Sequence, residues 1–66
     1  MNQIELRKLL LQKCTTMDEI NAIISSMGHN PEDFTSSGLQ QRALAFVIQL
    51  GYDHTLNELE QVLLNN

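Results

Sequence analysis

Five residues of helix N-cap type punctuate a chain of 66 residues, and each is followed three positions later by an acid or an amide. The pairs are Asn2 with Glu5, Thr16 with Glu19, Asn30 with Asp33, Ser37 with Gln40 and Thr55 with Glu58. In four of the five the third residue is Glu or Gln, so cap and third residue can satisfy each other's orphan N–H groups; Asp33 is the looser match. Gly28 and Gly51 stand where helices close through a C′ residue. Pro31 stands at a first helical position, where its missing N–H costs nothing. This punctuation predicts five short helices, at about 3–14, 17–27, 31–35, 38–50 and 56–64. The expected fold class is all-α: one domain over residues 1–66, a compact five-helix bundle whose third helix is short.

The apolar spacing agrees. Met17, Ile20, Ile23, Ile24 and Met27 form one helical stripe, as do Leu56, Leu59, Val62 and Leu63 near the end of the chain. The first and fourth predicted helices are apolar over more than one stripe. Ile4, Leu6, Leu9, Leu10, Leu11 and Cys14 spread over roughly 220° of the first, where a stripe of about 100° suffices for one-sided packing. The fourth has a core row of Leu39, Ala43, Phe46, Val47 and Leu50 and a second row of Leu44 and Ile48 at i, i+4. Either these two helices lie centrally and touch neighbours on both flanks, or Ile4 and Leu11, or Leu44 and Ile48, are left for a partner.

Composition removes several classes of function. A chain this short buries only about 60% of its unfolded surface, which leaves no room for a deep substrate cleft. With a formal net charge of −4 and basic residues only at Arg7, Lys8, Lys13 and Arg42, the chain lacks the cationic field that nucleic acid or an anionic membrane requires. The one cysteine, Cys14, forbids an internal disulfide, and there is no signal peptide or membrane-spanning run, so a cytoplasmic setting is expected.

Chemistry-bearing residues are few. Cys14, His29 and His54 are the candidates for a nucleophile and its bases, but Cys14 continues the apolar row from Leu10 and reads as a small buried residue. His29 and His54 read as polar residues of the two glycine-bounded turns. His29, Asp33, Asp53 and His54 have neither the i, i+4 histidine spacing nor the paired cysteines of a metal site. Gly28, Gly38 and Gly51 stand singly, so no phosphate loop is encoded. No catalytic residue, metal or cofactor is expected, and Ser37 is explained as an N-cap.

The charges are segregated. Arg7, Lys8 and Lys13 lie on the first helix, Asp18 and Glu19 open the second, and Glu32 and Asp33 open the third. Acids at helix N-termini favour the macrodipole, as does Lys13 near a C-terminus. Opposed patches also let one copy dock on the next head-to-tail, which generates rings or filaments.

Across nearly the whole chain, from Leu6 to about Leu63, the pattern resembles a known family. Leu6-Arg7-x-x-Leu10, Asp18-Glu19-Ile20, Met27-Gly28, Asp33-Phe34, Gly38, Arg42-Ala43, Val47, Leu50 and Leu56-x-Glu58-Leu59 resemble the effector-associated domains of bacterial conflict systems. That resemblance implies a death-like helical bundle acting as an adaptor, by self-association or by pairing with a related copy linked to a defence effector. Tyr52-Asp53-His54-Thr55 replaces the Arg-Gly-Arg-like turn common before the last helix of such domains, and Leu44, Ala45 and Ile48 replace a charged face. The expected function is a non-enzymatic protein–protein interaction module. The partner is a protein, either the same or a related helical domain. The surface expected to meet it comprises Arg7, Lys8, Asp18, Glu19, Glu32, Asp33, Arg42, Leu44 and Ile48. Three alternatives stay open: a ubiquitin-associated-like binding module, suggested by Met27-Gly28-His29 and Leu63-Leu64, a carrier or minor catalytic domain with Ser37 as the modified serine, and a small phage or plasmid regulator that blocks a host protein.

Overall fold

The computed structural model describes residues 1–34 and 38–65. Among the described residues four α-helices follow one another: α1 (Gln3–Lys13), α2 (Met17–Ser26), α3 (Leu39–Tyr52) and α4 (Leu56–Leu64), with a 3₁₀ turn at Pro31–Asp33 between α2 and α3. The five-helix count is thereby corrected to four. Pro31–Asp33 closes through short-range bonds, Asp33 N–H to the Asn30 carbonyl at 3.0 Å and Phe34 N–H to that of Pro31 at 3.1 Å. Three residues cannot start an i→i−4 ladder, and the next side chain, Phe34, turns into the core.

Two N-terminal caps form in the first half of the expected box, cap side chain to third-residue N–H, while Glu19 reaches back to the Thr15 N–H rather than that of Thr16. Asn2 accepts from Glu5 N–H at 2.8 Å and Thr16 from Glu19 N–H at 3.2 Å. Asn30 caps one position early, through Glu32 N–H at 3.0 Å. Thr55 occupies the cap of α4 but makes no capping bond; its hydroxyl donates to the Leu50 carbonyl at 3.4 Å instead. The predicted cap Ser37 lies outside the described residues, and Gly38 holds the N-cap position of α3.

Gly28 ends α2 as predicted. With φ at 83° it is the left-handed residue of a Schellman turn: its N–H donates to Ser25 and that of His29 to Ile24, at 3.0 and 3.1 Å. Gly51 does not end α3. The helix runs to Tyr52, and His54, with φ at 58°, is the left-handed residue; the N–H groups of His54 and Thr55 close on Gly51 and Leu50. Gly51 faces the side-chain amide of Gln3, which occupies the space a β-carbon would need.

The core is a single cluster of Leu6, Leu10, Cys14, Ile20, Ile24, Phe34, Ala43, Phe46, Val47, Leu50, Leu59 and Leu63. α1 packs on α3 and α4, α2 on α3 and the 3₁₀ turn, and α3 also on α4, so α1 and α3 are the central helices. His29, Phe34 and Phe46 meet edge-to-face with ring centroids 5.4 to 6.4 Å apart, tying the α2–α3 connection to the core. The radius of gyration is 10.3 Å, against about 10.8 Å for a compact domain of this length.

Candidate protein-interaction surface

The reactive residues serve the packing. Cys14 is 3% exposed at the end of α1, where burial first and the Glu19 charge second push its thiol above the ordinary range. His29 is a half-buried member of the aromatic trio, not a free loop histidine, and His54 closes α3. Among the described residues no three His, Cys, Asp or Glu side chains come together in a way that could hold a metal ion. No helix among them is long and apolar enough to cross a membrane.

The charged residues divide into those engaged within the molecule and those that are not. Lys8 and Lys13 are exposed and Arg7 half-buried on α1, and among the described residues none of the three lies at ion-pair distance from a carboxylate. Asp18, Glu32 and Asp33 are exposed near helix starts. Glu19 is engaged: one carboxylate oxygen accepts from the Thr15 hydroxyl at 3.0 Å, the Thr15 N–H at 3.3 Å and the Thr16 hydroxyl at 3.2 Å. The two threonine hydroxyls, then the Thr15 N–H, hold that carboxyl below its ordinary range. Arg42 is half-buried and turned inward, donating from Nη1 to Asn21 Oδ1 at 2.7 Å and so linking α3 to α2. The ammonium of Met1 meets Glu60 of α4 at 2.8 Å, a contact for which the sequence carries no signal.

Among the described residues the exposed large apolar side chains are Met1, Ile4, Leu64 and a row of three on α3. Leu44 and Ile48 are 41% and 39% exposed, and Tyr52, the next residue in the i, i+4 row, is 78% exposed. Ile48, Gly51 and Tyr52 border a shallow cleft with Gln3, and Ile4, 60% exposed, follows Gln3 on α1. Central placement and a spare row therefore hold together: α3 touches three neighbours and still leaves this ridge uncovered. Leu11, the other residue considered spare, is half-buried against the core.

No family model, no curated protein and no solved structure matches the chain.

Tyr52 belongs to the ridge although the sequence reading left it out, because ending the helix at Gly51 removed it from the row. Its i+4 relation to Ile48 was the available signal. From Ala43 to Tyr52, α3 carries no formal charge, and its outward side chains are apolar, amide or, at Tyr52, phenolic. Such a face presents no formal charge. It can exclude water against another apolar surface while its amides bond across the contact.

Proposed function

We propose that the chain is a non-enzymatic interaction module that recruits or clusters a signalling or defence effector in the cytoplasm through homotypic or heterotypic helix contacts. The observation that supports this reading is the uncovered ridge Leu44–Ile48–Tyr52 on the central helix α3, in a domain that buries every other large apolar side chain of that helix at least in part. A small domain gains by burying such a row, and leaving it at the surface fits a docking face. The cations of α1 and the acids opening α2 and the 3₁₀ turn would add steering and register. The resemblance to effector-associated domains supplies the class of partner.

Photo-crosslinkers placed at Lys8 and at Ile48 test the reading in the native cell. Both should trap a defined helical partner, either another copy or a domain joined to an effector. Reversal of Arg7 to Glu should reduce the Lys8 adduct while leaving helicity intact. Specific adducts at neither position would sink the module reading.

A further inference from the structure

We infer that the α3 ridge is occupied by a second copy of this chain, the two α3 helices lying antiparallel across a two-fold axis with Ile48 of each copy seated over Leu44 and Ala45 of the other. This rests on the interaction-module reading and names its partner and its geometry.

Charge selects the face. Each copy carries a formal charge of −4, so a contact between copies is least opposed where neither presents like charges to the other. A two-fold contact sets a patch against itself, which turns any patch of one sign into like-charge pairs. The outward face of α3 avoids this. Gln41, Leu44, Ile48 and Tyr52 are exposed and uncharged, Ala45 among them is half-buried against the core, and the one cation of the helix, Arg42, is drawn aside to Asn21.

Spacing selects the register. Gln41, Ala45, Ile48 and Tyr52 recur at intervals of four, three and four, the seam of two helices crossing at a shallow angle of about 20°. An axis between residues 46 and 47 sets each Ile48 against the other copy's Ala45, with Leu44 alongside, and each Tyr52 against the other copy's Gln41. The small Ala45 admits close approach, and the Tyr52 hydroxyl can donate to the Gln41 amide carbonyl.

The helix ends agree in sign. Asp53 stands at the C-terminal end of α3, against its dipole, bonded to the Gln49 amide at 3.2 Å. The opposite end is capped by Gly38, which has no side chain to accept from the first turn, and no acid lies in that turn. The antiparallel register brings each Asp53 to the N-terminal end of the other copy's α3, negative to positive.

One helical ridge is a small fraction of a 4135 Å² surface, so the pair belongs with weak encounters that bury less than about 1,200 Å² in total. Half-association is therefore expected at concentrations on the order of 100 µM.

Sedimentation equilibrium on the whole chain from 10 µM to 1 mM tests the inference, with Ile48→Glu and Leu44→Lys measured singly and mixed in equal amounts. The wild type should shift from monomer to dimer mass. Each variant alone should remain monomeric with unchanged helicity. The mixture should regain a dimer, because the new glutamate of one copy then faces the new lysine of the other. A wild type monomeric at 1 mM overturns the inference, as does a dimer indifferent to both substitutions, or singles that dissociate and are not restored by mixing. If sedimentation fails while a crosslinker at Ile48 or Lys8 traps a different protein, the module reading survives and this one falls; if sedimentation fails and neither crosslinker traps a partner, both fall.

Discussion

His54 holds φ at 58°, a region that L residues enter at a cost, less often paid by types other than Asn, Asp and His, and it does so because α3 closes by a Schellman turn there. Replacing His54 by Gly removes that cost, which exceeds the added freedom of the unfolded chain. A net gain of about 0.5 kcal/mol is expected, read as a rise of about 2–4 °C in the midpoint of thermal unfolding by circular dichroism. A fall would mean that the imidazole contributes more than the backbone loses. Glu19 gives the residue-scale dependence on pH. Its carboxyl is held below the ordinary range by Thr15 and Thr16, so the folded state binds that proton less readily than the unfolded state does. The resulting stability is present above the unfolded carboxylate range, near pH 4.3, and is lost as pH falls through the lower folded value. In Glu19→Gln that component is absent. Wild type and variant should differ in denaturant midpoint at pH 7 and converge in acid; a gap that stays constant with pH would refute the assignment.

At the scale of the element, what was legible followed from residue type. Gly28 closes α2 because glycine alone is at ease at φ 83°, and the rows Ile20–Ile24 and Ala43–Phe46–Val47–Leu50 are buried as their 3.6-residue period requires. What was not legible depended on tertiary neighbours. Gly51 reads as a helix end, yet its backbone is helical and its missing side chain makes room for the Gln3 amide. That error shortened α3 and removed Tyr52 from the surface ridge that Leu44 and Ile48 announce. Arg42 reads as a partner-facing cation, and only the packing of α2 on α3 brings Asn21 to it. The third helix reads as a helix because its cap and proline are right, but the pull of Phe34 into the core ends it after one turn. Gly51→Ala tests the role of that glycine. Alanine favours a helix interior by about 1 kcal/mol, and the obstructing amide is the far end of an exposed, flexible side chain. Stability should rise by somewhat less than that, and by nearly the full amount when Gln3→Ala is added. Equal loss in both backgrounds would place the constraint in the backbone.

For the whole molecule, 66 residues imply an unfolding free energy of roughly 3–10 kcal/mol, so one large core side chain is a substantial part of the total. Phe46 is fully buried and joins α3 to Phe34 and His29; Phe46→Ala should cost about 3–5 kcal/mol and leave little helicity at 37 °C, whereas Phe46→Leu should remain folded. Because a single cluster takes residues from all four helices, no part can open extensively without the rest. Cys14 reports on that cooperativity. It is sealed at the end of α1, and its thiol is pushed up by burial and by Glu19, so reactive thiolate is scarce in the folded state and access is blocked. A folded pKa above the unfolded one contributes stability that is complete below the unfolded value and disappears as pH rises through the folded value. Alkylation by iodoacetamide at pH 7.5 should therefore be slow in buffer and accelerate with urea along the same curve as the loss of helical circular dichroism, with one midpoint for both. Rapid labelling in buffer, or a labelling midpoint well below that of helicity, would show that the end of α1 detaches while the bundle stands, and the domain would then behave as two cooperative units.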